Sequence, residues 1–583
     1  MRALTLTILL LILASAPIHA ATYHVSQAAA NASDDDAGTL DAPWLTVNKA
    51  AQTLVAGDKV IVHAGTYREH VDPQNSGAPG APIIYEAAEG EEVILTGADI
   101  VTGWERVPGD RAIYSAPWPH KFIINHIDGV PLYHHPGDAK HVRSGRPEQV
   151  IVDGEVWDSP ELVLSLDEMT ERSFFPDVDA EKLYIWLPDD ADPSDHEIQG
   201  SARQLIFGTN PWRKNTFDHT HVRGFTFRYG ATFAQRPSVW LIGKHNLVED
   251  CLIEWMCGGG VGVGPEGGIL RRCVIRNCGH VGGCAKGTNF VNEDCVWEGN
   301  SRKPIARVWD AGGVKITGSH HGIFQRCVFK DNGGPGLWLD IDVADVVIRN
   351  CLFDGNEEHG LFIEISRDIY VMNNAFFRNG LRAEGFVWAV GGLSLGESQN
   401  CVLTHNLVVG NRDGIVIREQ GPRYLDTNAL GQIRYVNSGH VIANNISANN
   451  AGYQLALYYD SAWFGMHPGQ KDDFDSEEAF TKHITEEDPD RWFDPLARGI
   501  AITRNVCWAE DDQKLYLYGV PWRARHQEFD SVDAFTEATG FGVAGQVIDP
   551  GLVELTPDHF TLPVESDLYK QGYGPRFPVP PAP

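Results

Sequence analysis

Asp294-Cys295-Val296-Trp297, Arg326-Cys327-Val328-Phe329 and Asn350-Cys351-Leu352-Phe353 are copies of one pattern: a polar residue, a cysteine and an apolar pair. Arg272-Cys273-Val274-Ile275 precedes them and Cys251 opens the series, so the five cysteines recur after 22, 22, 32 and 24 residues. A repeat of that length marks a chain whose units bury themselves on their neighbours. With β-branched triplets between Asn- and Gly-bearing turns, each repeat reads as one coil of a parallel β-helix, and the cysteine as one inward position carried from coil to coil. A buried free thiol packs as a small apolar residue, which favours a reduced internal stack. Disulfides are the alternative, with Cys257, Cys278 and Cys284 the better candidates. After Cys351 the same position is read at Ala375 and Leu407, then near Asn445 and Asn505.

Outward from this centre, the 583 residues exceed one ordinary globular core, but a solenoid escapes that limit. Sixty Gly and only five Met suit a turn-rich all-β protein. A formal charge of −31 argues against nucleic acid or an anionic membrane as partner. Residues 1–20 carry one Arg, an apolar run from Leu4 to Leu13 and small residues at Ala14-Ser15-Ala16 and Ile18-His19-Ala20, the pattern of a secretory signal. That run is too short to span a bilayer, so a secreted or periplasmic protein without a membrane span is expected. The chain has no Cys-x-x-Cys pair and its His residues are scattered, so no metal or other cofactor is expected. The cluster Asp34-Asp35-Asp36 reads as a solvated loop, with calcium binding the less common alternative.

Residues 21–102 begin with the strand Tyr23-His-Val-Ser, a short helix Val47-Asn-Lys-Ala-Ala-Gln-Thr-Leu54 with Thr46 as N-cap, and the strand Lys59-Val-Ile-Val-His63. This passage resembles the N-terminal cap of secreted right-handed parallel β-helix proteins, where a helix closes the open end of the solenoid. Residues 103–203 are richer in Trp, Pro and Asp. Their alternating segments Gln149-Val-Ile-Val, Leu162-Val-Leu-Ser-Leu and Lys182-Leu-Tyr-Ile-Trp, with a turn at Val152-Asp153-Gly154, read as an inserted antiparallel β domain. Residues 204–459 are the central solenoid. Residues 460–583 read as a surface excursion over Ser461–Arg498, a further coil at Arg504-Asn-Val-Cys-Trp508, a C-terminal cap from Ser531 and a frayed end from Phe577 to Pro583.

Counting back 11 or 12 residues from successive anchors puts Lys315, Asp340 and Glu364 in one column on three consecutive coils. Each acid closes a short apolar run, Gly336-Leu-Trp-Leu-Asp340 and Gly360-Leu-Phe-Ile-Glu364. Neighbouring strands lie roughly 4.8 Å apart, which brings the carboxyl groups into the roughly 5–5.5 Å range of retaining glycosidases. The bland alternative is a salt-bridge ladder on an exposed face. Lys315 beside Asp340 favours its ionised form, which suits a nucleophile; Glu364, facing anionic Asp340 with no cation on the next coil, should hold its proton and act as acid/base. Trp338 is expected to point into the core. Asp342 shares the alternate-residue face of Asp340 and reads as a second pocket acid or a solvated one; His320, His321 and His359 lie at turns beside the column and read first as plain surface residues, with binding of sugar hydroxyls the alternative. Trp309 and Trp388 are candidate stacking platforms, and Arg418-Glu419 borders the cleft.

Leu337-Trp-Leu-Asp340, followed one coil later by Phe362-Ile-Glu364-Ile-Ser366, resembles the catalytic segment of glycoside hydrolase family 120, the parallel β-helix β-xylosidases, and more distantly family 141. The resemblance implies Asp340 as nucleophile and Glu364 as acid/base. Asp310-Ala-Gly-Gly-Val-Lys315 is similar to that family's Glu-Ile-Ala-Gly-Ile-Lys, which implies Asp310 and Lys315 in the substrate pocket. Asp310 stands where the family has Glu, and Ile341-Asp342 where it has Trp-Glu. The substrate-binding candidates are therefore Asp310, Lys315, Asp342, His320, His359, Trp388 and Arg418, with a plant or algal poly- or oligosaccharide as partner. Two other readings remain: a polysaccharide lyase using Lys315 or Arg418 as base, and a carbohydrate-binding solenoid without catalysis.

Overall fold

The computed structural model describes residues 20–122, 126–127, 130–131, 145–209, 216–304, 311–383, 389–419, 423–427, 431–459, 476, 478–479, 498–510, 514–519, 526–552, 562 and 564–576. Coils of parallel strands stack into a β-helix with three faces. Two faces are 13-stranded sheets, one starting at Thr22–Val25 and the other at Gly65–Tyr67. The third is a four-stranded sheet from Phe207–Gly208 to Gly283–Ala285, followed by an eight-stranded sheet that begins at Val314–Ile316. Because parallel strands run in register, like residues fall on like. Trp297, Phe329, Phe353 and Phe376 stack flat along the interior, centroids 4.8, 4.8 and 4.6 Å apart.

All ten cysteines are free and buried, Cys257, Cys278 and Cys284 included. The anchor position itself needs a correction beyond Cys351. Leu352 pairs with Ala375, so Cys351 stands opposite Asn374, and the series continues through Asn406, Asn445 and Asn505 rather than through Ala375 and Leu407. The sulfur stack thus gives way to an asparagine ladder: the Asn374 amide nitrogen donates to Asn406 Oδ1 at 3.1 Å and to the Ile348 carbonyl at 3.0 Å. A second ladder, Asn300–Asn332–Asn356–Asn379–Asn411–Asn450, lines another corner in the same way. These side chains are fully buried, so they satisfy corner backbone groups that water cannot reach.

At the N-terminal end, helix Val47–Thr53 starts at Thr46, whose hydroxyl accepts from the Lys49 amide. Asp34 accepts from the Leu45 and Thr46 amides and the Thr46 hydroxyl, a structural use of the acidic loop. Between Val93–Thr96 and Thr226–Arg228, which pair directly, the chain leaves the solenoid and forms antiparallel sheets. Val150–Val152 and Glu155–Trp157 make a hairpin whose turn residues Asp153 and Gly154 both have positive φ, as a type I′ turn requires. Leu162–Leu166 is not the strand its alternation suggests: Leu162 makes one isolated bridge, and Leu166–Glu168 is a 3₁₀ turn. The expected excursion over 461–498 and the end from 577 lie almost wholly outside the described residues.

Candidate active site

On the third face, Lys315, Trp338, Phe362 and Ser394 occupy one row of paired positions, flanked by an inward row of Ile316, Leu339, Ile363 and Leu395. Trp338 therefore points outward beside Lys315, not into the core, because its inward neighbours Leu337 and Leu339 already fill the interior. Lys315 pairs with Trp338, so it does not share the column of Asp340. A fixed offset from the anchor fails here because the corner between third face and anchor varies in length from coil to coil.

The acids form their own row. Leu339 pairs with Ile363, which sets Asp340 opposite Glu364; Glu364 then pairs with Gly396, and Gly396 with Arg418. Gly396 is the gap that matters. A Cβ there would lie 3.2 Å from the Phe362 ring and 3.5 Å from the Arg418 guanidinium. Across that gap Arg418 Nη2 reaches Glu364 Oε1 at 2.9 Å. Glu364 thus has a cation after all, two coils away. On the other side Lys315 Nζ lies 3.0 Å from Asp340 Oδ2.

The aromatic row aims both cations. The Lys315 ammonium sits 3.5 Å from the Trp338 ring centroid and the Arg418 guanidinium 4.8 Å from that of Phe362. Such placement over a ring face favours a cation and restricts where it points. His359 stacks on Phe362 at 4.4 Å and contacts Ser394 Oγ through Nδ1 at 2.8 Å. It is buried, not a turn-surface residue; burial first, and then Arg418, push it down to about 3, so it stays neutral.

Two polar atoms at the centre are buried without a hydrogen-bond partner among the described residues: Asp340 Oδ1 and Trp338 Nε1. Unpaired buried polar atoms are costly, and a bound ligand is one group that could supply the partner. Glu364 is pushed above the ordinary carboxylate range by burial; Arg418 pulls it back and Asp340 pushes it up again. Desolvation, rather than repulsion from Asp340 alone, is the larger cause.

Asp342 differs from its expected placement. Ile341 and Asp342 both have positive φ, so strand alternation ends at Asp340. The Asp342 carboxylate accepts from the Tyr435 hydroxyl at 2.8 Å and lies 3.4 Å from His320 Nε2. It ties the hairpin Arg423–Thr427/Gly431–Tyr435 to the corner beside the pair. His321 is exposed and faces Asp345 at 3.5 Å. Glu419 is buried and accepts from the Asn437 side chain at 2.8 Å. Asp310, Trp309 and Trp388 lie outside the described residues. The residue that sequence reasoning missed is Gly396, whose only signal is a glycine in register between Glu364 and Arg418.

A family model described as right handed beta helix region matches residues 213–394, and the fold is a right-handed parallel β-helix. Among solved structures, that of XylC in complex with xylose superposes with a TM-score of 0.63 at 18% identity, covering 86% of this chain and 87% of that one. At that identity the likeness speaks for the fold alone. Among curated proteins, the uncharacterized protein YwoF of Bacillus subtilis (strain 168) is 33% identical over 78 residues, 13% of this chain and 17% of that protein. Pectate lyase PEL9 of Emericella nidulans is 37% identical over 70 residues, 12% of this chain and 17% of that protein. The chain thus spans 17% of the length of each of these curated relatives.

Proposed function

We propose that the chain is a secreted carbohydrate-active enzyme, a retaining glycoside hydrolase in which Asp340 is nucleophile and Glu364 acid/base. The observation that carries the reading is the row itself: two acids face each other on adjacent coils, each with its own cation, and one buried oxygen of Asp340 lacks a described partner. Strand spacing of about 4.8 Å keeps the carboxyl groups near the separation that leaves no room for an intervening water. Asp340 attacks the anomeric carbon as the glycosidic C–O bond breaks, and the Glu364 proton passes to the leaving oxygen. Water then adds to the anomeric carbon, giving its proton to Glu364 and releasing Asp340. Arg418 keeps the Glu364 pKa from rising too far for proton return.

The likeness of the catalytic segment to glycoside hydrolase family 120 supports the same roles, and the xylose held by XylC makes β-xylosides the first substrates to try. The lyase reading has the local identity to pectate lyase PEL9 in its favour. Against it, Lys315 and Arg418 are each already engaged by a carboxylate of the pair, at 3.0 and 2.9 Å. Mass spectrometry of products from a panel of neutral and uronate-containing oligosaccharides tests the choice. Hydrolysis predicts products carrying one added water and a loss of about 10²–10⁴-fold in rate for Glu364→Gln. Unsaturated products that persist in that variant would sink the reading and promote Lys315 as a lyase base.

A further inference from the structure

A groove of about 120 Å³ runs along the third face from Lys315 toward the N-terminal coils. Its lining includes Arg236, Trp240, Lys286 and Lys315, and no carboxylate among the described residues. Lys315 is paired with Asp340 just beyond the groove, but Arg236 and Lys286 bring two further cations to a lining without an acid, which stands out on a chain of net charge −31. The floor is open for a structural reason. Trp240 pairs with Gly262, and a Cβ on Gly262 would lie 3.1 Å from Pro237 and 3.2 Å from the Trp240 indole. Glycine therefore leaves the half-buried indole a clear flank, with the Arg236 guanidinium 5.3 Å from its centroid.

Lys315 joins the groove to the carboxylate pair: it lines the groove while its ammonium lies 3.0 Å from Asp340. From the coil of Trp240 the steps run through Gly262, Cys284 and Lys315 to the coil of Asp340, about 19 Å at the strand spacing. A saccharide lying across the pair and along the solenoid axis passes over the indole, which offers a stacking face, and between Arg236 and Lys286. A guanidinium presents a planar fork that matches an oxyanion in a way sugar hydroxyls do not. Burial draws the Arg236 pKa down, as expected for a cation deprived of hydration.

We propose that this groove is an anion-recognising sugar subsite, so that the glycan cleaved carries carboxylate or sulfate groups on residues next to the scissile bond. The substrate class rests on the hydrolase reading; the binding does not.

Isothermal titration of the Glu364→Gln protein tests it with three probes: a neutral xylo-oligosaccharide, the same backbone with a glucuronic acid branch, and a sulfated galactan oligosaccharide. At least one anionic probe should bind tenfold or more tighter than the neutral one, and which of them gains tells carboxylate from sulfate. Adding Arg236→Gln and Lys286→Gln should erase that preference. Lys286 is exposed, so Lys286→Glu alone is a folding-safe variant that should weaken anionic probes and spare the neutral one. Equal binding of neutral and anionic probes, or a preference that survives the charge variants, overturns the proposal. If the wild-type protein binds the anionic glycan tightly yet releases no hydrolysed product from it, the hydrolase reading falls and the subsite stands.

Discussion

In the proposed mechanism Glu364 carries the chemistry on one proton, and its surroundings set when that proton is present. Burial raises its pKa while Arg418, reaching over Gly396, opposes the rise. As general acid it must be protonated, so kcat/KM should fall on the alkaline side as pH passes its folded value. Arg418→Gln removes the opposing charge and should move that limb to higher pH. A limb that stays put, or moves down, in the variant would show that another group sets it. The linked stability has a definite sign. The folded state holds this proton more tightly than the unfolded chain, so the contribution is largest in acid and is lost as pH rises from the ordinary carboxylate range through the raised value. His359 and His440 act in the opposite direction. Both are lowered to about 3, first by burial, so their contribution is present above the unfolded His value and is lost as pH falls toward 3. At this scale sequence reading finds the acids, since each closes an apolar run, but not Arg418 as the partner of Glu364. That contact depends on register across a residue with no side chain.

Among the elements, the asparagine ladders have the most direct effect on stability. Asn379 donates to the Phe353 carbonyl at 3.0 Å and to Asn411 Oδ1 at 2.8 Å, and accepts from Asn356 at 2.8 Å, all in the interior. Asn379→Ala strands those partners without water, and should lower unfolding stability by about 3 kcal/mol. Chemical denaturation measures it; a loss below about 0.5 kcal/mol would mean that the corner re-pairs its backbone without the side chain. The corners also explain what the repeat conceals. Cys273, Cys295, Cys327 and Cys351 announce themselves by identity, whereas Asn374 and Asn406 are adjacent to apolar residues that look like better continuations of a buried stack. Hydrophobicity alone therefore slips the register by one residue. The same varying corner displaces Lys315 from the column of Asp340, although its long side chain still reaches the carboxylate.

For the whole molecule, the 22-to-32-residue period was enough to read a parallel β-helix, because in-register coils force like residues onto like. The sulfur stack gives a further prediction at that scale. With ten free, buried thiols, thermal unfolding should be the same with and without reductant, and thiol reagents should label the protein only once it unfolds. Labelling of folded protein, or a melting temperature that drops on reduction, would contradict the reduced interior.

The central claim is that Asp340 and Glu364 act at retaining distance on neighbouring coils. Proton NMR of the first product formed from the glycoside the enzyme cleaves tests it most directly, read before mutarotation scrambles the anomers. The account predicts that the newly freed reducing end appears with the anomeric configuration of the bond that was cut. Appearance of the opposite anomer would mean that water attacks directly, and that Asp340 is not the nucleophile.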